Sequence, residues 1–492
     1  MSEKSVFVVT FPLITEPWQE DVLNKRINMC HRIYNQCVKK TRNKYKEMAK
    51  TRKFRAIRQE LKEIREAKAE GEKKKTPREK ELYTQLNQMY KDNGFTEFSM
   101  MSLAREQARD AGYKKNIDST AASKVGKRLW TAWDKFLFGD GTEVHFSRYY
   151  DYNSVEGSYN TCGIRLLYTD KGNWKGNRWA VVWNKVYIPI RVSEDNMYEQ
   201  EALRNEIAYN RIIRKVSNGK QRFYVQTIFR GTPPRKRDKK TGDFIHTLGH
   251  GRVGLYITLT KLTAVTDEGV KVYPLADGVE PIEDKIAEVQ RKMDSSRRAT
   301  NPDNYNEDGT IKKQGNKKVI WIRSNHYERL RTELKSLQTK QADVRKYEHE
   351  CLANKILSLG DDFVINKQDF KSLQQRKEKT EYKEDGTQKS KKQFGTVIKN
   401  HAPSEFVQIL NRKLESNGNV LHVVDVNELG INKFNHSTGD YDDRDSKAKT
   451  VKIEGQEIDK YTYMAFLLQN LTPDYSSIDR GQCSEKFMSI VS

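Results

Sequence analysis

GRVGLYITL at Gly251 to Leu259, KLTAVTD at Lys261 to Asp267 and VKVYPLAD at Val270 to Asp277 read as three consecutive β-strands. A DEG turn separates the second from the third, and β-branched and aromatic residues fill all three. Helical periodicity follows over Ile282 to Met293 and leads into DSSRRATNP. A second helix is predicted over Ser324 to Leu359, and Leu330, Leu334 and Leu337 on it would face inward. Then come the strand DFVIN, Asp362 to Asn366, a helix over Ser404 to Leu414, the strand NVLHVVDV, Asn419 to Val426, and a terminal helix around Tyr461 to Leu471. Strands alternating with helices make residues 249–492 an α/β domain.

Working back toward the start, residues 142–248 hold short strands between polar turns. VHFSRYY, GIRLLYTD, RWAVVWNKVYIPI, NRIIRKV and RFYVQTIF fit a small barrel of about seven strands. SVFVVTFPL, Ser5 to Leu13, is a further strand, and it is expected to pair back into this region because an isolated strand leaves its backbone groups unpaired. Between them, residues 17–138 are helical. Leu23, Ile27, Cys30, Tyr34, Cys37 and Val38 recur at three or four residues, and Phe54, Ile57, Leu61 and Ile64 resume the face. After a polar break at Glu66 to Lys80, a helix pair follows, one carrying Leu82, Leu86, Met89 and Tyr90, the other Ala121, Val125, Leu129, Trp133, Phe136 and Phe138.

The chain of 492 residues has 90 Lys plus Arg against 67 Asp plus Glu, a formal net charge of +23, which is the footprint of a polyanion binder. From Asn24 to Arg58 there are thirteen basic residues and a single acid, Glu47. Ordinary helices mix signs to gain i,i+4 pairs, so this run points to a phosphate-facing surface. Its candidates are Lys39, Lys40, Arg42, Lys44, Arg52, Lys53 and Arg55. Farther on, Arg291, Lys292, Arg297 and Arg298 form the tightest basic cluster of the α/β domain, Lys335 and Arg345 line the helix after it, and Arg376 and Lys377 sit in a polar basic stretch. Tyr305 reads as a stacking residue or a loop anchor.

Several chemistries find no support. No apolar run reaches 18 residues, so no membrane partner is expected. The five cysteines are scattered without a CxxC pair, which suits reduced thiols in a cytoplasmic setting and gives no zinc site. No HExxH, nucleophile elbow or phosphate loop appears, and no cofactor is expected.

YNSVEGSYNTCGIR at Tyr152, FYVQTIFRGTPP at Phe223, GRVGLYIT at Gly251, RKMDSSRRATNPDNYNEDGTIKK at Arg291, KSLQQRKEKT at Lys371, FNHSTGDY at Phe434, and YMAFL with SIDRGQC around Tyr463 to Cys483 carry a resemblance. They resemble TnpB, the transposon-encoded RNA-guided nuclease family of the type V CRISPR effector superfamily. In character the chain is similar to its nuclease-dead repressors (TldR).

The resemblance implies a multidomain α+β protein. Residues 1–16 would give the first strand of a wedge β-barrel, 17–138 a helical recognition lobe, 139–248 the rest of the barrel, and 249–492 an RNase H-like (RuvC) α/β domain. Within the last, 372–396 would be a basic insert in place of a zinc ribbon. Its partners would be a guide RNA with a structured scaffold and double-stranded target DNA with a short flanking motif, in the bacterial cytoplasm at the nucleoid.

The family's three acids fall on Tyr256, Asn366 and Tyr461, and the glycine after the first falls on Thr258. Two-metal cleavage needs clustered carboxylates, because hard cations want anionic oxygens. The resemblance therefore implies a degenerate site, filled by two tyrosines, in a DNA-binding protein without nuclease activity that acts as a transcriptional repressor. Two alternatives stay open: an active endonuclease using displaced acids (Asp267, Asp362, Asp369, Asp425 or Asp459), and an RNA-binding accessory protein of a transposon.

Overall fold

The computed structural model describes residues 5–67, 75–139, 141–149, 151–193, 195–217, 219–312, 319–374, 394–442, 444 and 448–491. They cluster into two compact units, one of residues 1–215 and 221–233, the other of 216–220 and 234–492. The division between the two units falls near residue 233.

In the first unit, β1 (Val6–Pro12) leads into α1 (Pro17–Lys50), where Glu16 and Gln19 form a capping box around the first turn. Thr51 ends this helix and starts the next: its hydroxyl donates to Met48 O and accepts from Phe54 N. Then follow α2 (Arg52–Ala67), α3 (Pro77–Asp92), α4 (Glu97–Asp110) and α5 (Ser119–Phe138). The periodic residues from Leu23 to Val38 are buried, as are Phe54, Ile57 and Leu61. The sequence reading had missed α4. It crosses α5 closely at Gly126, where a Cβ would stand 2.4 Å from Met100 O.

The strands of this unit are β2 (Ser154–Glu156), β3 (Arg165–Tyr168), β4 (Trp179–Trp183), β5 (Val186–Pro189), β6 (Ile207–Ser217) and β7 (Lys220–Arg230), with a short α6 (Met197–Ala202) before β6. The chain start does pair back, β1 running antiparallel to β7 from Val6↔Arg230 to Pro12↔Tyr224. The strands expected to make a small barrel are seen as two sheets. Among the described residues the strands form a sheet β1-β7-β6-β2 and a sheet β3-β4-β5, joined at one corner by the bridge Leu13↔Ile190. On the other side, between β2 and β3, the Asn160 side chain bonds both N–H and C=O of Leu166. Within VHFSRYY, residues 144–148 carry no ladder.

Helices and strands of this unit share one apolar core. Arg26 of α1 crosses it, its guanidinium 5.0 Å from the Trp183 ring centre and donating to Trp183 O at 2.6 Å, while Trp183 Nε1 donates to Asp118 at the start of α5.

In the second unit, β8 (Arg252–Ile257), β9 (Lys261–Thr266), β10 (Gly269–Pro274), β11 (Asp362–Asn366) and β12 (Leu421–Val424) form one sheet in the order β10-β9-β8-β11-β12. The first three pair antiparallel; β8, β11 and β12 run parallel. The helices are α7 (Glu280–Thr300), α8 (Asn325–Leu357), α9 (Phe370–Gln374), α10 (Gly395–His401), α11 (Pro403–Ser416), α12 (Lys460–Gln469) and α13 (Arg480–Lys486). α7 runs on through the DSSRRAT stretch. A hairpin, β13 (Thr450–Ile453) and β14 (Gln456–Asp459), precedes α12 and was not read from the sequence.

Alternation along β8 divides its side chains between two faces. Val253, Leu255 and Ile257 pack with Phe363, Ile365, α8 and α11, whereas the other face receives α12. That helix lies on β8 at Gly254, where a Cβ would sit 2.0 Å from Ala465 O and 2.5 Å from Gln469 N.

His436 and His349 are both fully buried in this unit, His436 between Phe466 and Phe487 with Nδ1 2.9 Å from the Tyr463 hydroxyl, His349 against Phe406. Burial pushes both imidazoles below their ordinary value. Since the unfolded chain then binds the extra protons, their stability is present above about pH 6.5 and is lost as pH falls through that value toward the lower folded ones. The melting temperature is therefore expected to fall between about pH 7.5 and 5.5, and His436→Phe and His349→Leu to flatten that slope. An unchanged slope in the double variant would assign the acid sensitivity elsewhere.

Candidate functional site

The parallel strands β8, β11 and β12 end at the same edge of the sheet, and the three positions singled out in the sequence meet there. Tyr256 and Asn366 lie on the face that receives α12, and Tyr461 stands in that helix's first turn. The rings of Tyr256 and Tyr461 stack, their centres 5.3 Å apart and their planes 24° from parallel. Burial, and secondarily Tyr461, pushes the Tyr256 phenol up to about 12, so it is neutral at pH 7.

Asn366 is 3% exposed and extends the sheet with its side chain. The backbone ladder between β8 and β11 reaches Leu255↔Ile365. Beyond it, Asn366 Oδ1 accepts from Ile257 N at 2.7 Å and Nδ2 donates to Ile257 O at 3.2 Å. Only a group that both donates and accepts makes this bridge, and a carboxylate does not.

The five acids named as alternatives are each engaged separately. Asp267 accepts from Gln469 and Lys486 at 2.9 and 2.7 Å; Asp362 accepts from Arg252 and the Tyr475 hydroxyl at 2.5 and 3.0 Å. Asp369 caps the turn at Lys371 and Ser372, and Asp459 caps α12 through the N–H groups of Tyr461 and Thr462. Asp425 pairs with Lys367 at 3.1 Å, and that ammonium holds its carboxyl below the usual range. Among the described residues no group of three or more His, Cys, Asp or Glu is placed to hold a metal ion. A pair of stacked tyrosines and a committed amide do not supply the clustered carboxylates of a two-metal centre.

The basic residues divide by unit. In the first, Lys39, Lys40, Lys44, Arg52, Lys53 and Arg55 are exposed along α1 and α2. Arg42 is drawn in, paired with Glu143 and lying over the Phe146 ring. A groove of about 850 Å³ is lined by Tyr45, Phe54, Arg55, Arg58, Lys62 and Arg65. A second cleft of about 490 Å³ sets Lys40 and Lys44 beside Phe98, whose ring is 73% exposed. Phe98, Lys62 and Arg65 were not read from the sequence; an aromatic residue on the polar side of a helix and the continuation of the basic face past Arg58 were the available signals.

In the second unit the cluster is largely tied to its own fold. Arg297 and Arg298 both bind Asp294, and they lie over the rings of Trp321 and Tyr305 at 5.1 and 4.8 Å. Arg298 also donates to Gly309 O at 3.0 Å, and Tyr305 packs edge-on against Trp321, which makes it a loop anchor. Arg345 bridges Glu405 and Lys399 O at 3.1 and 2.8 Å. Lys292 pairs with Glu288 at 2.6 Å, Arg291 is exposed, and Lys335 is half-buried on α8. Arg376 and Lys377, with most of the basic stretch 372–396, lie outside the described residues.

No family model matches this chain, and no curated protein matches it. Among solved structures, it aligns with a cryo-EM structure of the Cas12f1-sgRNA-target DNA complex at a TM-score of 0.41 and 9% identity, over 96% of this chain and 99% of that one. A CRISPR-Cas12f ternary complex aligns at 0.24 and 11%, over 94% and 99%. The likeness to these RNA-guided complexes is weak and partial. The architecture itself is mixed α/β and multidomain, and among the described residues no helix is long and apolar enough to cross a membrane.

Proposed function

We propose that this chain is an RNA-guided DNA-binding protein without nuclease activity, a TnpB-like repressor whose RNase H-like domain has kept its frame. The carrying observation is the site itself: an amide bridge to Ile257 and a stacked tyrosine pair stand where the family's acids fall. The strand order β10-β9-β8-β11-β12, antiparallel then parallel, supports the RNase H-like reading. The exposed basic face of α1 and α2 and the net charge of +23 support a nucleic-acid partner.

In this reading a guide RNA with a structured scaffold pairs with one DNA strand and supplies the sequence choice. The protein reads a short flanking motif and the shape of the opened duplex. Bound over a promoter at the bacterial nucleoid, it would block polymerase without cutting. The helical lobe 17–138 and the strands around it would hold the backbone through Lys39, Lys40, Lys44, Arg52, Lys53 and Arg55, with Arg291 and Lys292 contributing from the second unit.

The test is sequencing of RNA that co-purifies with the protein, followed by magnesium-dependent nicking of a plasmid matched to it. A scaffold ending in a variable guide, with a matched plasmid bound and left intact, is the expected result. Scaffold RNA lacking any targeting segment would favour a transposon accessory protein, and robust nicking would return the endonuclease.

The basic face makes a separate prediction. Replacing Lys39, Lys40, Arg52 and Lys53 with Ala should lower the slope of log affinity against log salt by roughly 0.7 to 0.9 for each phosphate contact removed. Arg297→Ala, by contrast, should act on folding, because that guanidinium is held by Asp294 and Trp321. Affinity titrations at several salt concentrations separate the two; an unchanged slope in the fourfold variant would make that face a solvated surface only.

A further inference from the structure

We propose that the stacked Tyr256 and Tyr461 rings form a platform on which a nucleobase of single-stranded nucleic acid stacks, so that the site where a strand would be cut instead holds one. The inference rests on the RNA-guided reading for the source of the strand, the one displaced when a guide pairs with DNA.

The first support is exposure. From Thr462 to Gln469 every residue of α12 is buried, yet Tyr461 is 42% exposed. A side chain present only to fill space between helix and sheet would be covered as its neighbours are. Instead the Tyr461 ring covers Tyr256 and leaves surface of its own open.

The second is rigidity. The amide bridge from Asn366 fixes the backbone immediately after Tyr256, and the Asp459 carboxylate fixes the backbone N–H of Tyr461 at 3.0 Å. Neither ring depends on a loop for its position, so a base meets a surface that is already ordered.

The third is charge. Carboxylates clustered here without cations would repel a phosphate chain, whereas phenols and an amide do not. Of the acids nearest this edge, Asp425 is paired with Lys367 and Asp459 is occupied by the helix N–H groups. Lys261, exposed at the start of β9, adds positive charge on the strand beside Tyr256. Aromatic surface with flanking cations is what sequence-tolerant single-strand binding requires, because every base has a π-face.

A short single-stranded oligodeoxynucleotide carrying 2-aminopurine, titrated onto the full protein, tests the platform without any need for a guide. Binding should quench the probe. Tyr461→Leu, which keeps apolar cover on Tyr256 and leaves the Asp459 cap bonded to backbone, should weaken binding by roughly 5- to 100-fold and remove the quenching; Tyr461→Phe and Tyr461→Trp should retain both. No quenching by the unaltered protein, or equal quenching and affinity in Tyr461→Leu, would overturn the proposal. Binding of the guide-matched duplex is measured alongside. If the unaltered protein ignores the duplex while Tyr461→Leu still loses the oligonucleotide, the platform stands and the RNA-guided reading falls; duplex binding with no effect of Tyr461 on the probe is the reverse.

Discussion

Gly254→Val is expected to leave the second unit unable to hold its terminal helix. A Cβ at this position would meet the Ala465 carbonyl oxygen at 2.0 Å and Gln469 N at 2.5 Å, both backbone atoms of α12. No rotamer change relieves such a contact, so the helix itself must lift from the sheet. That would part Tyr463, Phe466 and Leu467, all fully buried, from the core they complete. Overpacking of this kind costs about 3 kcal/mol or more, a large share of an ordinary domain's stability of roughly 5 to 15. Gly418→Ala is the matched control. It has open space around its Cβ and a φ of +77°, so it should cost only about 1 to 2 kcal/mol of left-handed backbone. Urea midpoints of the two variants measure the difference, and equal midpoints would show that α12 does not depend on the close approach.

The second large effect is expected from putting acids back. The triple variant Tyr256→Asp, Asn366→Glu and Tyr461→Asp supplies the ligand types of a two-metal site, yet it should be strongly destabilised and should not nick guide-matched DNA. Loss of the half-buried Tyr256 ring and of its stack on Tyr461 costs about 2 kcal/mol. At Asn366 a carboxylate would stand buried against the Ile257 carbonyl, losing a donor and gaining a desolvated charge.

The single variant Asn366→Asp isolates this term through pH. Burial and the facing carbonyl favour its protonated form, which donates as the amide does, so the folded pKa lies above the unfolded value of about 3.9. Its penalty relative to asparagine should be small below about pH 4, grow as pH rises through the folded pKa, and stay constant above it. Denaturation curves of both proteins from acid to neutral pH check the sign. Efficient magnesium-dependent nicking by a well-folded triple variant would show that the site still accepts metal.

What the sequence made legible was whatever repeats with the period of its element. The faces of α1, α2, α3 and α5 followed from apolar residues at three- and four-residue spacing, and β8 followed from Val253, Leu255 and Ile257 at alternate positions. α4 escaped because Met100, Ala104 and Ala108 are small or unbranched and sit among charges; its start was marked only by Thr96 accepting from Ser99 N. VHFSRYY has the composition of a strand, but its residues 144–148 find no partner strand among the described residues, which composition does not reveal. The β13–β14 hairpin hid in four-residue strands whose turn, Glu454 and Gly455, takes positive φ at both residues.

In the site, the positions Tyr256, Asn366 and Tyr461 were readable, but what they do there was not. The stack depends on where α12 lies, and the amide bridge depends on the register of β8 against β11. Likewise Arg297 and Arg298 look in sequence like any basic pair; the contacts with Asp294, Trp321 and Tyr305 that occupy them follow from how α7 meets the loop beyond it.

The amide bridge and the stacked rings also govern how such a chain can change over generations. Codons for tyrosine and asparagine differ from those for aspartate only in their first base, so each of the three positions lies one nucleotide from an acid. Mutational distance therefore does little to hold the site in its present form. Each first step, however, breaks the ring stack or the bridge to Ile257 before any cluster of acids exists to bind a cation. Selection would meet the loss of folding first and the gain of chemistry only after several changes, so the site turns in one direction like a ratchet.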